Sequence, residues 1–315
     1  MFQHYTVMKN EAVGALECEG SDKIYIDATL GGGGHSELIA QKISLKGRLI
    51  CFDVDDDAIE AAQKRLKPYQ NVEIIKDSYV NIPEHLERLG IKEITGGVLF
   101  DLGASYHQLT TAERGFSFLK DAPLDMRFNK EGEKTAGAGA KSAFTAADII
   151  NTYREEELVK IFSEYGEERF SKRIAKAILA NRPIHTTLQL AELIKRSTPR
   201  INSKIHCATR VFQALRIEVN QELLNFKNTL NKVVTLLAAD AIISIISFHS
   251  LEDRLTKSIL RDFSKSCRCE KTDAVCKCHG AVLELITKKP IIASEEEIGE
   301  NPPSRSAKLR IARKI

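Results

Sequence analysis

Ile24-Tyr-Ile-Asp27-Ala-Thr-Leu-Gly31-Gly-Gly-Gly34-His35-Ser36 is the stretch whose reading decides the fold. Residues 24–28 form a short apolar run that reads as a buried strand. Four glycines then mark a turn, and residues 36–43 look helical. Glycines at such a junction let the backbone approach a ligand, and the helix N-terminus offers unpaired N–H groups. Working outward, residues 48–53 (RLICFD) read as a second strand. Residues 57–66 read as a helix with its acids in the first turn, where they favour the helix dipole. Residues 72–75 and 97–101 are the third and fourth strands, with a helix around 82–89 between them. Strands alternating with helices at this spacing predict βαβ units and a parallel sheet.

The alternation stops at Leu102. From there to about Arg216 the chain is turn-rich and then helical, with a Gly/Ala/Lys-rich loop over 130–143. A long amphipathic helix is expected from Val219, leading into AIISIISF (241–248), the best buried-strand candidate, and a helix over 249–263. Residues 281–287 and 306–314 are expected to close the sheet as an antiparallel pair. The expectation is an α/β, Rossmann-like doubly wound domain in two segments, 1–112 and 217–315, split by an inserted helical domain over 113–216.

Charge is nearly balanced overall, with 46 Lys and Arg against 43 Asp and Glu. Between Arg169 and Arg216, however, eleven basic residues face the single acid Glu192, so this segment is +10 and the remainder −7. A solvated helix face is the bland reading of such a run, but one-sign asymmetry favours a polyanion, nucleic acid above all. The apolar stretch 233–248 is broken by Thr235 and Asp240 and is too short to span a bilayer. The first residues lack an apolar signal core, so a cytoplasmic protein with no membrane partner is expected. Seven cysteines, four of them between Cys267 and Cys278, fit a reducing compartment better than a disulfide framework. Cys267, Cys269, Cys276 and Cys278 can hold a structural Zn²⁺ with His279 as a spare ligand, or remain thiols. Their C-x-C spacing departs from the commoner C-x₂-C.

Asp53 ends the second strand twenty residues after Gly33, where an acid bonds the ribose hydroxyls of a nucleoside. Dinucleotides and S-adenosylmethionine both use this plan. The glycines do not follow G-x-G-x-x-G, and the acid Asp27 at the head of the loop suits a cationic sulfonium better than a pyrophosphate. Asp101 ends the fourth strand and should face the same crevice; a strand-end acid capping a turn is its structural alternative. A carboxylate there can localise the lone pair of an exocyclic amine for attack on a methyl group. His249 after the fifth strand either binds the acceptor base or belongs to a helix start in which Ser250 is the cap and Glu252 and Asp253 the first-turn acids. Asp125 and Arg127 read as a site pair or a structural ion pair. Arg114, Arg210 and Arg216 read as phosphate binders or salt-bridge partners. Tyr153, Phe162 and Tyr165 recur at helical spacing and read as core.

HYTVMKNEAV, DATLGGGGHS, DLGASYHQL, ERGFSF with PLDMR, YGEERFSKRIAKAI, HCATRVFQALRIEVNQEL, ISFHSLEDR and NPPSRSAKLRIA are long, unusual strings spread over the whole chain. In them the chain resembles the ribosomal RNA small subunit methyltransferase H family, S-adenosylmethionine-dependent enzymes acting on N4 of a cytidine in the 16S rRNA decoding centre. The resemblance implies a class I methyltransferase domain with an inserted helical domain for the RNA substrate. The implied partner is 16S rRNA or the small ribosomal subunit rather than DNA. It also implies cofactor contacts from Gly33, Gly34, His35, Asp53, Tyr79, Asp101 and Gln108; Asp101 and His249 are the catalytic candidates from their places at the end of the fourth strand and after the fifth. Ala104, Tyr106 and His107 stand where Val, Ser and Pro are common in the family, and Tyr79 where Phe is usual. An RNA-binding module on the same fold, with the cofactor pocket little used, is the alternative that the Tyr106-His107 pair favours.

Overall fold

The computed structural model describes residues 5–129, 144–199, 206–269 and 280–315. They fall into two compact units, 1–103 with 223–315, and 104–222. The loop expected over 130–143 lies outside the described residues, as do Cys276, Cys278 and His279.

The first unit is built on one sheet. Its strands are β1 (Ile24–Asp27), β2 (Arg48–Asp53), β3 (Val72–Lys76), β4 (Gly97–Asp101), β5 (Ile242–Ser247), β6 (Leu283–Leu285), β7 (Ile291–Ile292) and β8 (Lys308–Lys314). The order is β3-β2-β1-β4-β5-β8-β6, with β7 also paired to β8. Strands β1 to β5 are parallel, and β8 runs antiparallel to β5, β6 and β7. The chain reverses winding direction between β1 and β4, which puts a topological switch point at the carboxyl ends of these strands. This is a Rossmann-like doubly wound sheet.

Strand period explains why the sheet is apolar on both faces. Ile26, Ile50, Phe52, Val98, Phe100, Ile243 and Ile245 enter one layer, closed by Phe226, Leu230 and Val233 of the helix Glu222–Leu236. Tyr25, Leu49, Cys51, Leu99, Ile242 and Ile246 enter the other, covered by the helices Lys9–Gly14, Gly34–Lys42 and Asp56–Leu66. The short N-terminal helix and β7 were not expected from the sequence. Nor does one helix run on from Val219: Gln221, at φ 48°, ends Thr209–Asn220 and separates it from Glu222–Leu236.

The second unit holds the helices Ala146–Thr152, Glu155–Glu164, Ser171–Ala180, Thr187–Ser197 and Thr209–Asn220 around its own core. Phe162, Ile174, Ile178, Leu190, Ile194 and Leu215 are wholly buried there. Tyr153 and Tyr165 pack against this core, as the helical spacing predicted.

Candidate active site

The glycine loop is shaped as much by the chain itself as by any ligand. Gly33, at φ +76°, caps the helix Gly34–Lys42 in the left-handed region, and a Cβ there would sit 3.2 Å from that of Ala62. A Cβ on Gly34 would come within 1.8 Å of Thr6 Oγ1. The Gly31 N–H donates to Asp53 Oδ2 at 2.8 Å, so the acid ending β2 holds the loop that follows β1. Asp53 Oδ1 accepts from the Asp55 N–H at 2.9 Å.

Asp27, at the end of β1, is fully buried. It accepts from Ser36 Oγ at 2.6 Å and from the Thr29 N–H at 3.1 Å. Burial pushes its pKa up to about 6 against these hydrogen bonds, and the neighbouring charge of Asp53 adds to the rise. Asp53 is itself raised to about 6, mainly by burial. The Cys51 thiol, 3.2 Å from Ser36 Oγ, is pushed well up by burial and then by Asp27, so it stays protonated.

Asp101 ends β4 beside this group. Its N–H donates to Thr29 Oγ1 at 2.6 Å, which ties β4 to the loop after β1. Its side chain is 13% exposed, and Oδ2 lies 3.7 Å from His35 Nδ1. The other ring nitrogen, Nε2, is 3.0 Å from the Val7 carbonyl; a carbonyl only accepts, so Nε2 carries a proton. Burial raises the Asp101 pKa well above the carboxylate range, and the charges of Asp27 and Glu252 raise it further. Asp101 Oδ1 is buried with no hydrogen-bond partner among the described residues. Such an orphan acceptor is uncommon unless a ligand completes it.

His249 and Glu252 come from the loop after β5. His249, not Ser250, caps the helix Ser250–Phe263: its Nδ1 accepts from the Glu252 N–H at 3.4 Å. Glu252 Oε2 returns the bond, accepting from the N–H groups of Phe248 (2.8 Å) and His249 (3.3 Å). His249 Nε2 lies 3.1 Å from Glu252 Oε1 but is misaligned for a hydrogen bond. Asp253 points elsewhere, to Arg310 Nε (2.7 Å) and Lys308 Nζ (3.2 Å) on β8. Burial pushes it up, but those two cations outweigh it and hold it below the ordinary value.

Tyr79 opens the turn after β3, with its ring edge-on to Phe100 at 5.9 Å. Gln108 belongs to the second unit. It is buried, and its Oε1 closes a capping box on the Ser105 N–H at 2.9 Å while its own N–H donates to Ser105 Oγ at 3.2 Å. Among the expected site residues, the first unit therefore gathers His35 and Asp101 in direct proximity, with the charges of Asp27 and Glu252 acting on Asp101 and that of Asp53 on Asp27. Ser36 and Thr29 were missed from sequence. A hydroxyl in the first helical turn facing a strand-end acid was the available signal for Ser36; Thr29 left none.

Three cations take the structural alternative of their readings. Arg114 is buried and donates to the carbonyls of Arg127 and Phe128, so it braces a loop rather than awaiting a phosphate. Arg216 forms a two-pronged pair with Glu222 at 2.8 and 3.0 Å. Arg127 does the same with Asp125, both bonds at 2.8 Å. Arg210 remains exposed. Cys267 is exposed and Cys269 half-buried, and the other two cysteines of the proposed set lie outside the described residues.

The described residues contain no helix long and apolar enough to cross a membrane. The chain is 45% identical over 319 residues to the ribosomal RNA small subunit methyltransferase H of Clostridium botulinum strain Loch Maree, covering 100% of this chain and 99% of that one. It is 47% identical to the same-named protein of Caldicellulosiruptor bescii, with both chains covered in full. Among solved structures, a putative rRNA methylase from Clostridium thermocellum aligns over both whole chains at 12% identity and a TM-score of 0.43. The sequence profile of the MraW methylase family matches residues 1–315, and this chain belongs to that family.

Proposed function

We propose that the protein transfers a methyl group from S-adenosylmethionine to N4 of a cytidine in 16S ribosomal RNA. The observation that carries the chemistry is Asp101: a carboxyl at the carboxyl end of β4, at the switch point, with one buried oxygen lacking a partner among the described residues. The names of the curated relatives supply the substrate class.

The residues present suit that cofactor. Three buried or half-buried carboxyls, Asp27, Asp53 and Asp101, all have raised pKa values, and Glu252 adds to the field at Asp101. A site so crowded with acids disfavours a pyrophosphate and favours a ligand bearing a sulfonium and an ammonium. The N–H groups of Gly33, Gly34 and His35 and the carboxylate of Asp53 are the groups to hold it, with Tyr79 offering an aromatic ring. When bound, the cofactor supplies a methyl group activated by positive sulfur.

The remaining chemistry belongs to the chain. Asp101 accepts a hydrogen bond from the exocyclic amine, drawing its lone pair out of conjugation and toward the methyl carbon. With the cofactor bound, the N–C bond would form as the S–C bond breaks, and the amine would then lose a proton. A carboxyl with a raised pKa, adjoining His35, is suited to receive that proton. Glu252 fixes His249 at the rim of β5, where the imidazole meets the base. A cytoplasmic location accords with this reading.

The test is methyl transfer from labelled S-adenosylmethionine to small ribosomal subunits from cells lacking the enzyme, with nucleoside analysis of the product. Label in N4-methylated cytidine is the expected result. Label in another nucleoside refutes the specificity. Absence of both cofactor binding and label favours the RNA-binding alternative.

A further inference from the structure

The helix Ser171–Ala180 buries Ser171, Ile174, Ala175 and Ile178 and carries no acid. Lys172, Arg173 and Lys176 are exposed. At 3.6 residues per turn they share an arc of roughly 100° directly opposite the buried stripe. Arg169, one turn earlier and also exposed, extends the row. None of the four has an ion-pair or hydrogen-bond partner among the described residues.

Several other cations of the same unit are engaged, while Lys120, Lys160 and Lys195 are exposed without a side-chain partner among the described residues. Arg127, Arg154, Arg196 and Arg216 pair with Asp125, Glu157, Glu192 and Glu222. Arg182 donates to the carbonyls of Ile150 and Tyr153. Two acids lie close to the row. Glu168 is turned inward and accepts from the Phe170 N–H at 2.8 Å, whereas Glu167 is exposed before Arg169. Lys172 and Arg173 occupy the first turn of the helix, where a cation opposes the dipole. Helix stability therefore does not explain the row. Arg210, held near its start by a 3.4 Å bond from Nη1 to the Glu167 carbonyl, adds a fifth exposed charge.

We propose that Arg169, Lys172, Arg173 and Lys176, with Arg210 beside them, form the surface that engages the phosphodiester backbone of the RNA substrate. This rests on the RNA-substrate reading above. Contacts of this kind set register without reading bases, so the row positions the RNA strand while the choice of cytidine is made elsewhere.

The counterion argument makes the proposal quantitative. Each phosphate neutralised on a single strand contributes about −0.7 to the slope of log K against log salt. Four lost contacts reduce the slope by about 2.8. Between about 50 and 200 mM salt, the wild type then loses about 50-fold more affinity than the variant. The experiment compares R169Q/K172Q/R173Q/K176Q with a control that removes four cations from exposed ion pairs, K64Q/R154Q/R196Q/K265Q. KM for unmodified small subunits, and binding to naked 16S rRNA, are measured against salt, with cofactor affinity as the folding check. A shallower slope and higher KM for the row variant alone, at unchanged cofactor affinity, is expected. An equal effect of the control, or no effect of either in an active enzyme, overturns the proposal. An effect on subunits but none on naked RNA also overturns it, indicating an acidic ribosomal protein as the partner. Failure of the wild type to methylate subunits at all removes the underlying function instead, and is separately visible.

Discussion

Binding of S-adenosylmethionine should expel protons, and the amount follows from the carboxyl group assembly. Asp27 and Asp53 have pKa values near 6, so at pH 6 each is about half protonated. A cation placed among them favours their charged forms and returns both toward the ordinary carboxylate value of about 4. The two groups together then release about one proton per ligand at pH 6. At pH 7 they hold only about a tenth of a proton each, so their share falls to about 0.2. Asp101, raised well above the usual range, adds to the release toward neutral pH. Titration calorimetry at pH 6 in buffers of differing ionisation enthalpy reads this number directly, as the slope of observed heat against buffer enthalpy. Asp27→Asn should lower the slope by about half a proton, since Asn neither binds nor releases one. Heats independent of buffer at pH 6, or net proton uptake, would refute the electrostatic account of the site. The sign for the unliganded fold is the reverse. Native carboxyls with raised pKa values bind protons more tightly than the unfolded chain. Stability contributed by Asp27 is therefore greatest at low pH and lost as pH rises from about 4 to about 6, by about 3 kcal/mol at most.

Asp101→Asn keeps a hydrogen-bond acceptor but no charge, and should lower kcat by about 100-fold with cofactor affinity changed only a few-fold; an unaltered kcat excludes Asp101 from the chemistry. Glu252→Gln preserves the bonds to Phe248 and His249 through its amide oxygen but removes a charge that raises Asp101. The acidic limb of the pH–rate profile should therefore move to lower pH, and an upward move contradicts the assignment. Gly34→Ala drives a methyl group against Thr6 and should cost about 1–3 kcal/mol in urea denaturation, partly recovered by adding Thr6→Ala; a neutral result means the loop yields there.

Local pattern reported the first unit well because each βαβ step announces itself. Ile24 to Asp27, Arg48 to Asp53 and Gly97 to Asp101 are apolar runs ending in an acid at the strand's carboxyl end, and the ligand crevice follows from that topology. Where two residues compete for one local role, the pattern failed. Both His249 and Ser250 can cap the helix after β5, and His249 does so because its ring nitrogen reaches the Glu252 N–H. The break at Gln221 was equally hidden, since apolar spacing continues across it and only a left-handed φ marks it.

The sequence by itself determined the alternation of strands and helices, the acid at the end of each of three strands, and the excess of positive charge between Arg169 and Arg216. These depend on neighbours along the chain, where side-chain period and composition suffice. Only the tertiary structure decided that Arg114 and Arg216 are occupied while Lys172, Arg173 and Lys176 remain exposed. It alone brought His35 to within 3.7 Å of Asp101 and left one oxygen of that carboxyl buried and unmatched among the described residues. Burial and partnership are set by segments distant in sequence, and the pKa of a carboxyl depends on how much water those segments exclude.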